Sequence, residues 1–437
     1  MVCATEARAP LARPPLRHYT AGKFYFGGEV MARLLPTTRA QVSGHQFMRR
    51  RVEHGLIFGD IRMIHDPLAS RRRAMVFGLA AVVMIAGVMG LFAWMRPNPN
   101  PGDAAIMRAA DGSLYVRVGE EVHPVTNLAS ARLIAGSPDE PARVGDEHLA
   151  AMGRGIPVGL ITAPGMFAPK DAAHAAWSAC EHRGKVTVVA GEAVPALEDT
   201  TAVLASDGTR DWLVTAQGRQ LLPPTTTAEG RIVRRVIGIT HATPVWAPPT
   251  QVLNALRELP EVSFPTPSPQ VLDTDEGSWM LIDGAIQPIT DTQRDMLTSA
   301  GASAKTIRQE QLADYPDSAL DLRLPGTAPE WIDPTATAIC AAQDGTAAAT
   351  DDVPEGVALS GTSVATHFAG LEQGSVGVDS GHGFHVVAAN GLRHRAPDHD
   401  TLTIVGAHHV EEVPWEIVGL LPEGEELTRE AALTATY

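Results

Sequence analysis

The stretch that decides the fold is an apolar run near the beginning of the 437-residue chain. Residues 74–95 read AMVFGLAAVVMIAGVMGLFAWM, without one charged or strongly polar side chain. As a helix rising about 1.5 Å per residue, the run spans roughly 33 Å, and the hydrocarbon core of a bilayer is about 30 Å thick. We therefore predict a single transmembrane helix over residues 74–95, with Trp94 as an interfacial anchor.

Two other interpretations of the apolar run fit less well. A buried core helix of a soluble domain would usually carry polar residues on some part of its circumference. A cleaved signal peptide would have a shorter apolar centre, begin nearer the N-terminus and end in small residues of the Ala-x-Ala type.

Charge divides the chain at the same run. Residues 1–73 carry 13 Lys and Arg against 5 Asp and Glu, a formal charge of +8, whereas residues 96–437 carry 22 against 45, a charge of −23. Three arginines stand directly before the run: Arg71, Arg72 and Arg73. Because Lys and Arg collect on the cytosolic side of a membrane, we predict a cytosolic N-terminus and a periplasmic domain over residues 96–437 of a protein in the inner cell membrane.

The basic end contains one segment with helical periodicity. We predict a helix over residues 41–64, with Ser43 and Gln46 as its capping box. Its apolar face consists of Met48, Val52 and Leu56. A basic amphipathic helix before a membrane span is expected to rest on anionic lipid or to contact a cytosolic partner, and the alternative is a solvated juxtamembrane linker.

The first thirty residues show no periodicity. They contain Pro14-Pro15 and Gly27-Gly28, which favour irregular structure. We predict that residues 1–30 are disordered or precede the natural start at Met31, so that the cytosolic segment comprises residues 31–73.

Cysteine use agrees with an oxidising outer compartment. Cys3 falls in the basic end, whereas Cys180 and Cys340 fall in the acidic part, where a disulfide can persist. We predict that these two pair, closing a loop of about 160 residues, and the alternative is two buried free thiols. Because Pro-Gly followed by an alanine-rich stretch precedes both cysteines, each is expected to end a helix in one of two related halves.

The acidic part contains a dispersed repeat. Each copy has a strand, a turn with glycine, a second strand ending in proline and a short helix closed by glycine. The four copies lie near residues 111–136, 207–238, 277–301 and 381–406. Their uneven spacing indicates modules separated by insertions. Because one ββα unit buries little apolar surface alone, we predict an α+β fold, an elongated outer domain of four modules around a central core.

A second echo supports duplication. Pro244-Val245-Trp246 before Leu259-Pro260 resembles Val413-Pro414-Trp415 before Leu421-Pro422. The two segments are expected to lie in the central core, and chance similarity is the alternative.

Several of these stretches carry a family resemblance. They are the run from Pro36 to Gly44, Arg49 to His54, Asp66-Pro67-Leu68, Leu114 to Gly119, Pro124 to Leu133, Val413-Pro414-Trp415 and Leu420 to Gly424. Together they resemble EccB, a membrane component of the type VII (ESX) secretion systems of actinobacteria. The resemblance covers roughly residues 33–437, and residues 341–380 depart most from the family pattern.

The resemblance implies a scaffold role and a set of partners. Members of this family assemble with an FtsK/SpoIIIE-type ATPase, a multi-span subunit and a further membrane subunit. Their outer domain is similar to a central core with four modules that resemble a bacteriophage endolysin subunit that binds the cell wall, and it is implicated in dimer contacts. The function expected of this chain is therefore a structural secretion subunit with a self-associating outer domain; the alternatives are a peptidoglycan-binding anchor and an ATP-hydrolysing component.

Enzyme interpretations find little support in the residues. Some members of the family are described as ATPases, but none of the four lysines lies in a Walker A motif, and Gly184-Lys185 is followed by valine. Gly361-Thr362-Ser363 looks like the serine motif of subtilases, with His382 or His385 as base, but the order and spacing differ from theirs. We expect no catalytic residue and no cofactor.

Metal and nucleic-acid binding are expected to be absent as well. His408-His409 and Glu411-Glu412 form a polar cluster without firm ligand spacing, which we interpret as solvated surface. Because the outer part carries a charge of −23, it is not expected to bind nucleic acid.

Overall fold

The computed structural model describes residues 38–59, 61–62, 67–94 and 98–436. The chain divides into two compact units, residues 1–96 and residues 97–437. The predictions for residues 1–30 and for a start at Met31 lie outside the described residues.

The first helix, α1, runs from Arg39–Phe58 and differs in bounds from the predicted 41–64. Its capping box consists of Thr38 and Gln41, so the prediction that placed it at Ser43 and Gln46 was wrong. Both pairs have the same Ser/Thr-x-x-Gln pattern, but Thr38 has extended backbone and the later pair lies inside the helix. Gly59 ends the helix with a φ of 69°, a left-handed conformation that glycine adopts without steric cost.

The second helix, α2, runs from Pro67–Trp94 and contains the apolar run. Its segment Ser70–Phe92, with a mean hydropathy of 2.5, is long and apolar enough to cross a membrane. The part of the chain that the structure describes contains this one candidate span. Its apolar side chains are exposed in the isolated chain, which fits a helix that packs against lipid rather than in a core.

The second unit opens with a five-stranded sheet, here the first sheet, in the order β4-β1-β2-β3-β5. Its elements are β1 (Ile106–Arg108), β2 (Leu114–Val118), β3 (Glu121–Val125), α3 (Leu128–Ala135), β4 (Ala142–Arg143), α4 (Asp146–Ala150) and β5 (Gly153–Arg154). Strands β1 to β3 are antiparallel, and after α3 the chain returns as β4, parallel to β1.

Two strands of a central sheet follow, and then the second sheet. The central strands are β6 (Ala176–His182) and β7 (Lys185–Gly191). The second sheet and its helices comprise β8 (Thr201–Ser206), β9 (Asp211–Thr215), β10 (Gly218–Leu221), α5 (Ala228–Val236), β11 (Val245–Trp246), α6 (Thr250–Asn254) and β12 (Glu258–Leu259). Here β11 returns parallel to β8, as β4 does to β1.

The third sheet is four-stranded, in the order β15-β14-β13-β16. Its elements are β13 (Gln270–Asp273), β14 (Ser278–Ile282), β15 (Ala285–Ile289), α7 (Asp291–Ser299) and β16 (Ser303–Thr306), followed by a 3-10 helix (Gln309–Asp314). Strand β16 is parallel to β13. The next strand, β17 (Glu330–Trp331), joins the second sheet beside β8.

The remaining strands complete the central sheet and form a fourth sheet. The central sheet gains β18 (Ala338–Ala342), β19 (Ala347–Thr350), β20 (Val357–Ala358) and β21 (His367–Gly370). The fourth sheet has β22 (Val376–Asp379), β23 (Phe384–Val387), β24 (Arg393–Ala396), α8 (His399–Val405) and β25 (Val410–Glu412), and is followed by α9 (Trp415–Val418) and α10 (Arg429–Ala432). Strand β25 is parallel to β22.

The first, second, third and fourth sheets share one connectivity, which the central sheet does not have. Each is a three-stranded antiparallel meander, then a helix, then a strand parallel to the first strand of the meander. The ββα pattern in the sequence describes only the middle of this connectivity. The first and last strands were missed because most are two to four residues long and lie outside the glycine and proline signals.

Helix caps explain where the four long helices of these sheets begin. Each starts after a residue whose side-chain oxygen accepts a hydrogen bond from a backbone N–H in the first turn. The capping residues are Asn127, Thr227, Thr290 and Asp398.

Apolar packing joins the sheets in two pairs. One buried cluster contains Ile106 and Val116 of the first sheet together with Val386 of the fourth and Leu402 of α8. A second cluster joins the second and third sheets, for example through Leu213. The largest cluster lies at the central sheet and extends into the second and fourth sheets. The outer unit therefore has several buried clusters, and in one of them the first part of the chain packs against the last.

The central sheet corrects the prediction for the cysteines. Cys180 lies within β6 and Cys340 within β18, opposite each other in an antiparallel register, and not at the ends of helices. Their alanine-rich surroundings favour helix by propensity, but pairing with neighbouring strands overrides that preference.

The two similar segments of the second echo lie at the central core, as predicted, but the residues that matched in sequence do not occupy equivalent positions. Trp246 is buried in β11, whereas Trp415 begins α9 and is 37% exposed. The matching N-cap prolines are Pro249, before α6, and Pro414, before α9. Both helices contribute buried residues to the central cluster, as expected.

Candidate functional site

The three arginines at the membrane helix lie inside α2 and not before it. Arg71, Arg72 and Arg73 occupy its first two turns and are exposed. The chain thus presents three guanidinium groups at one end of an apolar helix, where they can pair with lipid phosphates. The predicted end of the span at Met95 lies outside the described residues.

The proposed contact residues on α1 are solvent-exposed. Met48, Val52 and Leu56 are 56%, 58% and 81% exposed, so the structure leaves them available to a partner or a lipid surface. Other apolar side chains on α1 are exposed as well, among them Phe47 and Ile57, which the i, i+4 pattern did not single out. The apolar surface is therefore wider than one stripe.

The disulfide anchors the centre of the outer unit. A bond joins Cys180 to Cys340 across neighbouring strands. Next to Cys180, the buried carboxylate of Glu181 accepts a hydrogen bond from the indole N–H of Trp246 at 2.6 Å. This bond ties the central sheet to the second sheet, a contact that no local pattern in the sequence could indicate.

The polar residues of the run from Asn127 to Leu133 connect α3 to its neighbours through hydrogen bonds. Asn127 caps the helix by accepting from the N–H of Ser130 at 2.8 Å, and the hydroxyl of Ser130 accepts from the N–H of Leu160 at 2.9 Å. The guanidinium of Arg132 donates to the carbonyl oxygen of Val405 at 2.9 Å, from buried surroundings. The polar residues of this motif thus hold the first sheet's helix to α8, a structural role.

The polar cluster of residues 408–412 was predicted to be solvated surface, and this was wrong for two of its members. His408 and Glu412 are exposed, but His409 and Glu411 are each 3% exposed. Their side chains lie beside His174, and ligand atoms of all three residues fall within 4.8 Å of one another. A group of two imidazoles and a carboxylate could hold a metal ion. Its third member is separated by more than 230 residues, which is why spacing along the chain gave no signal.

The serine and histidines of the protease-like motif do not form a catalytic arrangement among the described residues. The hydroxyl of Ser363 donates to the carbonyl oxygen of Ala365 at 2.8 Å, in the irregular segment that precedes β21. His382 is exposed, whereas His385 is buried against the ring of Trp415, with ring centroids 5.5 Å apart. The nucleophile and the candidate bases therefore have other partners.

Burial also sets the chemistry of His385. Desolvation, and then the charges of Arg393 and Arg395, lower its pKa from 6.5 to about 4. A neutral imidazole packed on an indole contributes to the core of the fourth sheet rather than to proton transfer.

Comparison with known proteins defines the class. A family model described as "Type VII secretion system ESX-1, transport TM domain B" matches residues 34–436. The chain therefore belongs to the EccB family of type VII secretion components.

Individual relatives agree with this assignment. The chain is 26% identical to the ESX-1 secretion system ATPase EccB1 of Mycobacterium tuberculosis, over 91% of this chain and 94% of the relative. It is 36% identical to the ESX-3 secretion system ATPase EccB3 of Mycolicibacterium smegmatis over 48% of this chain, a match that spans 42% of that relative.

Solved structures of ESX complexes are similar in fold. A chain of an intact ESX-5 inner membrane complex superposes with a TM-score of 0.62 at 26% identity, covering 92% of this chain and 96% of that one. A chain of an EccB3 dimer from the ESX-3 core complex has a TM-score of 0.64 at 23% identity, over 76% of this chain and all of that one, and so shares the fold.

Proposed function

We propose that this chain is a structural subunit of an ESX inner membrane complex, anchored by α2 and scaffolding the complex through its outer unit. The observation that carries the proposal is the family match over residues 34–436, together with the likeness in fold to a chain of the ESX-5 inner membrane complex over 92% of this chain. Its proposed partners are other ESX membrane components. The family resemblance implies that these include an FtsK/SpoIIIE-type ATPase and a multi-span subunit.

The test is co-purification from the native membrane. The chain is tagged at its C-terminus, extracted in mild detergent and its partners are identified by mass spectrometry. Recovery of an FtsK/SpoIIIE-type ATPase and a multi-span protein is the expected result. Recovery of the chain alone, or with peptidoglycan fragments only, under conditions that keep other membrane complexes intact, would contradict the scaffold and favour a free-standing wall anchor.

The proposed topology has the N-terminus in the cytosol and residues 96–437 in the periplasm. Arg71, Arg72 and Arg73 at the start of α2 support it through the positive-inside rule, and so does a disulfide in the outer unit. Alkaline phosphatase fused at the C-terminus should be active in cells, because it folds only in an oxidising compartment. An inactive fusion with a normally expressed chain would reverse the orientation.

We propose further that the four sheets of common connectivity are repeats of one module arranged around the disulfide-bonded central sheet. Their shared strand order and capped helices support a common origin. The uneven insertions between them then leave different outer surfaces on each repeat, and these surfaces are the expected sites of self-association.

On the cytosolic side we propose that Met48, Val52 and Leu56 contact a neighbouring subunit. Their exposure on a basic helix supports this. Replacing the three by serine should remove the ATPase partner from the co-purified complex while leaving the chain in the membrane. Ile57→Ser is the matched control, since Ile57 is also exposed, at 61%, but points away from this stripe. Equal loss with the control would argue against a defined contact face.

The word ATPase in the names of the relatives favours a second candidate function, nucleotide hydrolysis. The sequence has no Walker A motif, and Lys185 begins strand β7 rather than a helix. Hydrolysis by the purified chain that persists after any co-purifying ATPase has been removed, and that is unchanged by Lys185→Ala, would establish an activity of a different kind from P-loop chemistry. If hydrolysis disappears when the co-purifying ATPase is removed, the activity belongs to that ATPase, and the scaffold remains the function of this chain.

A further inference from the structure

We propose that His174, His409 and Glu411 form a binding site for a divalent transition-metal ion of the Zn²⁺ class. The site would connect the segment before β6 of the central sheet to β25 of the fourth sheet. This inference goes beyond the scaffold function and does not depend on it.

The geometry of the three side chains is close to that of a metal site. Nε2 of His409 lies 3.1 Å from Oε1 of Glu411. Two ligand atoms that bind one tetrahedral Zn²⁺ at about 2.0–2.1 Å are themselves about 3.3 Å apart. The ring of His174 lies over that of His409, with centroids 4.6 Å apart, and its position on a connecting segment gives it freedom to turn a ring nitrogen towards the ion.

Neighbouring hydrogen bonds would hold the ligand Glu411 in place. The carboxylate of Glu411 accepts hydrogen bonds from the backbone N–H of Ala175, at 3.1 Å, and from the indole N–H of Trp177. Trp177 is itself 1% exposed, so the indole that donates to the carboxylate is held in the core. Such outer hydrogen bonds orient ligands and are a regular part of metal sites.

The negative charge of Glu411 favours a cation here. Its buried carboxylate is hydrogen-bonded, as a buried polar group must be, but Ala175 and Trp177 donate to it from neutral N–H groups. In the described part of the chain, the ion pair recorded for Glu411 is with His409, and no Lys or Arg forms one with it. A divalent ion would compensate the carboxylate and take the position of the proton that Nε2 of His409 otherwise donates to Oε1. That proton would move to Nδ1 of the neutral ring.

The open side of the cluster and the types of its ligands indicate which ion it favours. A pocket of about 280 Å³ borders the cluster, lined by the segment of His174 and by the loop that follows Gly370. Three protein ligands next to an open pocket leave room for a water molecule as the fourth ligand. Two imidazoles favour Zn²⁺ and its neighbours over Mg²⁺ or Ca²⁺, which prefer oxygen ligands.

The experiment uses the full chain, purified in mild detergent with a tag that contains no histidine. Zn²⁺ binding is measured by competition with a chelating dye, and Mg²⁺ serves as the negative ion. His174→Ala is the test variant because His174 is exposed, so its loss should leave the fold intact. His408→Ala is the matched control, an exposed histidine next to the cluster but outside it.

We expect one high-affinity Zn²⁺ per chain, unchanged in His408→Ala and at least tenfold weaker in His174→Ala. Bound Co²⁺ should give the intense visible bands of a tetrahedral site in the wild type and lose them in His174→Ala. Zn²⁺ should also raise the melting temperature of the wild type but not that of His174→Ala, since an ion that binds only the folded state stabilises it. Zn²⁺ binding that is equal in wild type and His174→Ala, or absent from the wild type, would overturn the site and leave a hydrogen-bonded core cluster.

Discussion

At the scale of single residues, Cys180 and Cys340 covalently join two strands of the central sheet. Their partnership could be inferred from charge and cysteine number, because both depend on the whole chain. Their strand conformation could not, since β6 and β18 pair with each other across a sequence separation of 160 residues.

Removing this disulfide should lower stability by about 4–5 kcal/mol on the chain-entropy estimate for a loop of this length. The measurement is the thermal or urea unfolding of Cys180→Ala/Cys340→Ala against wild type, and dithiothreitol should bring the wild type close to the variant. Cys3→Ala is the control and should behave as wild type. A variant as stable as wild type would show that the central sheet does not need the bond.

His385 should make the outer unit sensitive to acid. Its pKa is lowered from 6.5 to about 4 mainly by burial, so the unfolded chain binds a proton that the folded chain resists. The contribution is fully present above pH 6.5 and is lost as pH falls towards 4, by at most about 3 kcal/mol. Burial lowers the pKa of His394 as well, which adds to the loss.

The check is urea unfolding at a series of pH values for wild type and His385→Phe. The phenyl ring keeps the packing on Trp415 but cannot titrate, so the stability of this variant should fall less between pH 6.5 and 4. His408→Ala, an exposed histidine, should keep the wild-type slope. Identical slopes in all three proteins would place the acid sensitivity elsewhere.

The burial of individual polar residues could not be predicted from the sequence. His409 and Glu411 stand in a polar run that reads as surface, because their burial comes from His174 and Trp177 on a distant segment. Asn127 is the opposite case: it caps the start of α3 by accepting from Ser130, three residues away, so its role depends on local sequence alone.

At the scale of elements, the membrane helix was the most predictable feature. Its signal is composition over more than twenty residues, so it needs no tertiary information. The helix begins earlier than predicted, at Pro67, because the charged arginines continue the helical backbone although they end the apolar run.

A charge in the middle of this helix should impair insertion. Val82→Arg places a guanidinium near the centre of the span Ser70–Phe92, at a cost of about 2.5–3.5 kcal/mol. The protein should then shift from the carbonate-resistant membrane pellet to the soluble fraction. Val82→Leu, which keeps the position apolar, should stay in the pellet, and a Val82→Arg chain that also stays there would argue against a spanning helix.

The short strands were the least predictable elements. Each meander begins with a strand and is closed by another that pairs in parallel with it, but partners lie about 30 to 40 residues apart. Alternation over two to four residues is too brief to identify a strand, and only the fold brings the two together.

For the whole molecule, the pairing of sheets has a direct energetic consequence. Leu427, in the last segment, is fully buried in the cluster shared by the first and fourth sheets. Leu427→Ala should cost about 2–5 kcal/mol through lost burial and a cavity. Unfolding by urea measures it, and Leu433→Ala, 36% exposed, is the matched control with a cost below about 1 kcal/mol. Equal effects of the two would show that the end of the chain does not belong to the core.

The packing of the first sheet on the fourth also fixes a sequence of events during synthesis. In the proposed orientation, the first sheet is the earliest part of the outer unit to leave the translocation channel. Its apolar partners, Val386 and Leu402, emerge more than 250 residues later. The apolar face of the first sheet therefore stays uncovered outside the membrane until translocation is nearly finished. Periplasmic chaperones are expected to bind this face during that time.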